Sequence, residues 1–200
     1  MWPWEHAVVG YLAYSLCCHA YYRDSPNGLE TIVVVFASVL PDLIDKPLAW
    51  EFGVFESGYA LGHSIFFAIP LAITVGVLTR LLGRPRVGVA FGLGYLLHLP
   101  ADVLPLYVQR GEFPIERILW PVAPTEPGGH HHGFWETFTR MVGEYWDGLL
   151  AGELSTYMWF QLGLMAFVFV LWLSDGAPVF RELVAGSKRV LLEWAGRVTD

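Results

Sequence analysis

Gly94–Pro105, reading GYLLHLPADVLP, sets two ionisable side chains into an otherwise apolar segment. His98 and Asp102 are four residues apart, so on a helix they share one face, about one turn from each other. An imidazole and a carboxylate are costly in hydrocarbon, and segments that keep them turn them toward a protein interior, a water-filled cavity or an ion. The stretch therefore predicts a helix inside a membrane bundle. Its polar pair serves either a metal or proton or, more plainly, as a clamp between two helices. Pro100, between the two, removes a backbone donor and predicts a kink that leaves a carbonyl free for water or an ion.

The flanking sequence is equally apolar. Of 200 residues, 54% are hydrophobic and 16% charged, with mean hydropathy +0.45. Soluble domains run to about 45–50% apolar and about 25% charged residues, so the composition predicts an integral membrane protein in the lipid bilayer. Trp and Tyr often fall near the ends of apolar runs, as interface anchors would. The net charge of −7 excludes a basic nucleic-acid surface. Cys17 and Cys18 are adjacent, with no second pair, so they do not form a disulfide framework. They read as small buried hydrophobes, with lipidation the alternative. The N-terminal MWPWEH lacks the positive region of a signal peptide, so the first apolar segment is expected to be retained as an anchor.

Hydrophobic runs divide the chain into five expected spans: His6–Tyr22, Leu29–Ile44, Tyr59–Leu82, Val87–Val108 and Thr156–Ser174. The second is short enough to tilt, dip or thin the bilayer, and Lys46–Gly58 reads as a mixed loop. Two further stretches, Phe134–Leu150 and Val179–Val198, are amphipathic at helical spacing and suit helices lying in the interface or packing on the bundle. The fold class is thus all-α, a polytopic membrane helix bundle of about five transmembrane helices with interfacial helices. Residues 1–124 form a membrane domain carrying the site and 125–155 an extracytoplasmic loop with an interfacial helix. Residues 156–200 supply the final span and a basic amphipathic cytoplasmic tail.

The Arg80–Arg86 connection is the most basic short loop, and by the positive-inside rule it is cytoplasmic. The same choice places Arg23, Arg181, Lys188, Arg189 and Arg197 inside, with the N-terminus outside and the C-terminus in the cytoplasm of a plasma-membrane protein. It also brings the intramembrane polar residues to one depth. His6 opens the first span, Asp42 and Asp45 close the second, His63 opens the third, and His98 and Asp102 lie toward the end of the fourth. His19, thirteen residues after His6, falls about 20 Å away and cannot share that site.

Imidazole and carboxylate without thiolate suit a divalent transition ion, zinc first, with manganese or iron as alternatives. Six candidates exceed a four-ligand zinc site. Either some orient the ligands, or two metals bind. Asp45 and Asp102 are the carboxylates expected to act in catalysis; for Asp42 and Asp45, helix N-capping is the plainer reading. His130–His132, in a glycine-flanked loop on the same expected side, read as a flexible histidine-rich segment outside the core site.

His6 with Gly10, Pro-Asp-x-x-Asp at Pro41–Asp45, Gly-His-Ser at Gly62–Ser64, His-x-x-x-Asp at His98–Asp102 and Leu-Trp-Pro at Leu119–Pro121 follow one another along the chain. This series resembles the YdjM-like inner-membrane metal-dependent hydrolases over Met1 to about Pro124. Gly58 and Tyr59 stand where that pattern carries a His and an Arg, and the aspartates are one residue wider apart than its Asp-x-Asp. The resemblance implies a metal-dependent hydrolase without naming its substrate. A site at headgroup depth fits a lipid ester or phosphoester. A structural metal site and a cation or proton transporter are the alternatives; the oligomeric state is left open.

Overall fold

The computed structural model describes residues 2–123, 125, 133–152 and 155–187, and among these it is helical with no strand. Helix α1 (Pro3–Cys17) has Pro at its first position, where the missing N–H costs nothing. Glu5 turns back to accept the Trp2 amide at 2.6 Å. The helix runs into a π-helical turn (Cys18–Tyr22) that Arg23 closes in the left-handed region, φ 53°. Helix α2 (Gly28–Trp50) starts from a reciprocal cap: Asn27 Oδ1 accepts the Glu30 amide and the Glu30 carboxylate accepts the Asn27 amide.

The expected second span stops too early. α2 does not end at Ile44; it continues through Pro41 and Pro47 to Trp50 and takes in the first residues of the expected 46–58 loop. The charges that break the hydrophobic run there, Asp42 and Asp45, are buried on its inward side, and Lys46 pairs with Asp42 one turn back at 2.7 Å. At 23 residues the helix is about 35 Å long.

Helix α3 (Ile65–Leu81) begins later than the expected Tyr59, because residues 57–63 form an irregular segment. Helix α4 (Pro85–Arg110) carries the His98/Asp102 pair and remains helical through Pro100 and Pro105. A 3₁₀ turn (Ile115–Ile118) follows, then α5 (Phe134–Leu150), the expected amphipathic helix, and α6 (Thr156–Ser174). Residues 180–187 are helical, while Leu191, Trp194 and the rest of the expected tail helix lie outside the described residues, as do His130–His132.

Among the described residues two helices are long and apolar enough to cross a membrane, Pro85–Tyr107 and Thr156–Ser174, and Ile65–Leu81 is apolar but shorter. The expectation of five such spans is therefore met only in part. α1 holds 15 residues before its π-helical turn, and α2, though long enough, carries Glu30, Asp42, Asp45 and Lys46.

The α2–α4 interface is the most extensive, with α3 on the far side of α4 and α1 across both α2 and α4. Small residues set the closest crossing: a Cβ on Gly94 would lie 2.5 Å from the Val34 carbonyl oxygen and 3.1 Å from Ala37 Cβ, and one on Gly10 would meet the Ser38 side chain. Tyr14, Val34, Ala37, Ala90 and Tyr95 fill the core around this crossing.

Buried polar clamps tie α6 to α1. Asp175 accepts from Tyr11 and Ser15 hydroxyls, both at 2.7 Å, and pairs with His19 at 2.7 Å. Near the other end of α1, Glu5 accepts from Tyr157 at 2.9 Å and from Gln161. Arg86 pairs with Glu30 at 3.0 Å and Asp24 at 2.9 Å and lies over the Tyr22 ring. Its guanidinium holds the Asp24 carboxyl below the usual carboxylate range.

Candidate metal centre

Four elements meet at one end of the bundle. The first turn of α1 supplies His6, the C-terminal half of α2 supplies Asp42 and Asp45, the segment before α3 supplies His63, and the C-terminal half of α4 supplies His98 and Asp102. All six side chains are buried. The packing brings the six together at that end, and His19 sits elsewhere, on Asp175.

Asp42, His63, His98 and Asp102 each offer one ligand atom within 4.8 Å of the others. His63 Nε2 lies 3.1 Å from His98 Nε2, 3.4 Å from Asp42 Oδ1 and 3.3 Å from Asp102 Oδ2. His98 Nε2 lies 3.4 Å from Asp102 Oδ2 and 3.7 Å from Asp42 Oδ1.

The hydrogen bonds behind the two imidazoles fix what faces the centre. His98 Nδ1 is 2.6 Å from the Ser38 carbonyl oxygen, which only accepts, so Nδ1 carries the proton. His63 Nδ1 donates to Asp45 Oδ2 at 2.8 Å. In the neutral rings both Nε2 atoms then present lone pairs, toward each other and toward two carboxylates. Acceptors facing acceptors in a buried site need a cation or extra protons between them. Asp42 Oδ2 and His6 Nδ1 are also buried without a hydrogen-bond partner. Asp42, His63, His98 and Asp102 fit a divalent metal ion by donor chemistry and by the closeness of their ligand atoms, and Asp42 by its unpartnered oxygen.

Asp45 and His6 stand beside the four. Asp45 accepts amide N–H groups from Ala60 at 2.8 Å, Gly62 at 2.8 Å and His63 at 3.0 Å besides the His63 ring. It was expected among the ligands; the structure places it behind His63, with both oxygens engaged. His6 stacks on His98 with centroids 3.7 Å apart and sets Nε2 3.1 Å from Asp102 Oδ1.

The 57–63 segment must come very close to α2 to make these bonds. A Cβ on Gly62 would fall 2.8 Å from the Pro41 carbonyl oxygen and 3.2 Å from Asp45 Oδ1, so only glycine fits without a shift. Tyr95 holds the segment from α4 by donating to the Gly62 carbonyl at 2.7 Å, and Ser64 Oγ donates to the Trp120 carbonyl at 2.5 Å. The Gly-His-Ser and Leu-Trp-Pro motifs are therefore in contact.

A family model described as YdjM inner membrane protein matches residues 1–178. The chain belongs to the YdjM inner membrane protein family. The match reaches past the last motif at Pro121, so in this YdjM-family chain helices α1 to α6, and not the motif-bearing part alone, lie within the family match. Neither curated proteins nor solved structures gave a match.

Several contributors to the centre of the YdjM-family chain carry no motif signal. The Ser38 carbonyl, which orients His98, is a backbone atom. Lys46, 2.7 Å from Asp42, sits in what reads as a loop, and Tyr59, edge-on to the His63 ring at 4.9 Å, opens the expected third span as a departure from the resembled pattern. The i, i+4 spacing from Asp42 could have pointed to Lys46 once α2 was extended past Pro41.

Proposed function

We propose that the chain is a metal-dependent hydrolase of the membrane boundary, with Asp42, His63, His98 and Asp102 as the metal ligands. The observation that carries this reading is the pair of Nε2 atoms held 3.1 Å apart between two buried carboxylates. Zinc suits the donor set first, and manganese or iron also accept nitrogen and oxygen ligands. A bound divalent ion supplies Lewis acidity toward an ester or phosphoester oxygen and makes water nucleophilic at neutral pH.

The chain's own residues divide the remaining work. Asp45 and the Ser38 carbonyl hold the His63 and His98 rings with Nε2 inward. Asp102 bridges the ligand group and His6. His6, with Nδ1 unpartnered, takes or returns a proton at its ring while Asp102 keeps it oriented. Asp45, whose oxygens are occupied by three amides and a ring nitrogen, positions His63 rather than exchanging protons itself.

Arg80, Arg84 and Arg86, in and beside the turn from α3 to α4, support an orientation with that turn in the cytoplasm and the metal group at the opposite, outer end. A cysteine placed at the exposed Leu82 should then react with a membrane-impermeant reagent from inside only. Such a depth suits a lipid ester or phosphoester substrate.

A structural site is the second reading, favoured by the near-complete burial of every ligand. The deciding experiment screens metal-loaded, full-length protein in nanodiscs against lipid esters and phosphoesters. The hydrolase reading expects turnover that falls at least about 100-fold in His6→Ala, on the scale of a lost proton-transfer group. Absent turnover, with unfolding on chelation, would establish the structural role instead.

A further inference from the structure

Two cationic side chains flank the ligand group without belonging to it. Lys46 Nζ is 2.7 Å from Asp42 Oδ1, and its side chain is 15% exposed, so it reaches from the ligand to the surface. Arg117, in the 3₁₀ turn, lays its guanidinium 4.5 Å over the centroid of the Tyr59 ring, with Nη1 3.4 Å from the Tyr59 hydroxyl. That ring is in turn edge-on to His63. One segment connects the two cations: the Cβ position of Gly58, next to Tyr59, lies 3.5 Å from Lys46 Cγ.

Among the described residues Arg117 makes no ion pair with a carboxylate. A half-buried guanidinium held on an aromatic face keeps its planar fork of donors for another acceptor. Lys46 is neutralised by Asp42 only while that carboxylate is not engaged by a metal. A divalent ion on Asp42 sets two cations against one carboxylate. Asp42, Asp45 and Asp102 against Lys46 and Arg117 leave one net negative charge, which a divalent ion turns into one net positive charge.

We propose that Lys46 and Arg117 form an anion-binding rim over the metal centre, and that the group recognised there is a phosphate oxyanion. The fork of Arg117 matches two phosphate oxygens and the Lys46 ammonium supplies a point charge beside the ligand Asp42. The inference rests on the metal reading above. A lipid phosphate headgroup and a soluble phosphoester present the same chemistry, and the assay separates them.

The test is calorimetric titration of inorganic phosphate into zinc-loaded, full-length protein in detergent, with zinc content measured in parallel. Wild type should bind phosphate at least tenfold more tightly with zinc than without. Lys46→Gln and Arg117→Gln should each weaken binding at least tenfold at unchanged zinc stoichiometry, and Arg117→Lys should recover only part of the Arg117→Gln loss. Displacement of phosphate by phosphatidate nanodiscs and not by phosphatidylcholine nanodiscs supports the rim with a lipid source. Displacement by soluble phosphomonoesters alone supports it with a soluble one. Wild-type affinity in either glutamine variant overturns the proposal, and so does a variant that loses zinc together with phosphate. Phosphate binding without any hydrolysis would leave the rim standing and remove the hydrolase reading. Hydrolysis of neutral esters, unaffected by phosphate, would do the reverse.

Discussion

Asp45 shows how a side chain can matter to a site without facing it. Three amides from the 57–63 segment and the His63 ring converge on its carboxylate, so it fixes a ligand and a loop together. Asp45→Asn keeps the shape but turns one acceptor into a donor among N–H groups. The expected outcome is a metal affinity reduced about 10–100-fold, as for other losses of a ligand's orienting partner, measured by competition with a chromophoric chelator. Unchanged affinity would remove Asp45 from the site. Residue types and spacing made His98 and Asp102 legible, because an imidazole and a carboxylate four apart in an apolar run have few uses. The division of labour between Asp42 and Asp45 was not legible, since it depends on where amides 15, 17 and 18 residues away fold back. The Ser38 carbonyl leaves no trace in sequence at all.

Helix α4 is the element against which α1, α2 and α3 pack. It contributes two of the four candidate ligands, the Tyr95 hydroxyl that holds the Gly62 carbonyl, and Gly94, where α2 crosses closest. Gly94→Ala should destabilise the bundle by about 1–3 kcal/mol through overpacking against the Val34 carbonyl. Gly92→Ala, on the same helix with open space at its Cβ, should be neutral or stabilise by up to about 1 kcal/mol. Thermal unfolding of both variants in one detergent provides the comparison, and equal melting temperatures would contradict the close crossing. The helical pattern and the amphipathic Phe134–Leu150 stretch were readable from hydrophobic periodicity. The true end of α2 was not, because Pro41, Asp42 and Asp45, residues of types that normally stop a helix, here lie on its buried face.

At the scale of the whole molecule, polarity is concentrated at the ends. Arg86 with Glu30 and Asp24 closes one end, and the candidate metal group lies at the other. A gathering of histidines and acids at one depth could be foreseen by laying the apolar runs side by side. The number of crossing helices could not, because apolar length alone does not separate a span from a helix with a buried charged face. The central claim is that this end of the bundle holds a metal, and it is tested most directly by elemental analysis of full-length protein purified in detergent from metal-supplemented medium. The four-ligand group predicts about one divalent transition ion per chain, lost in His98→Ala and in Asp102→Ala variants that remain folded. Metal-free wild type, or a full complement of metal in both variants, would contradict it.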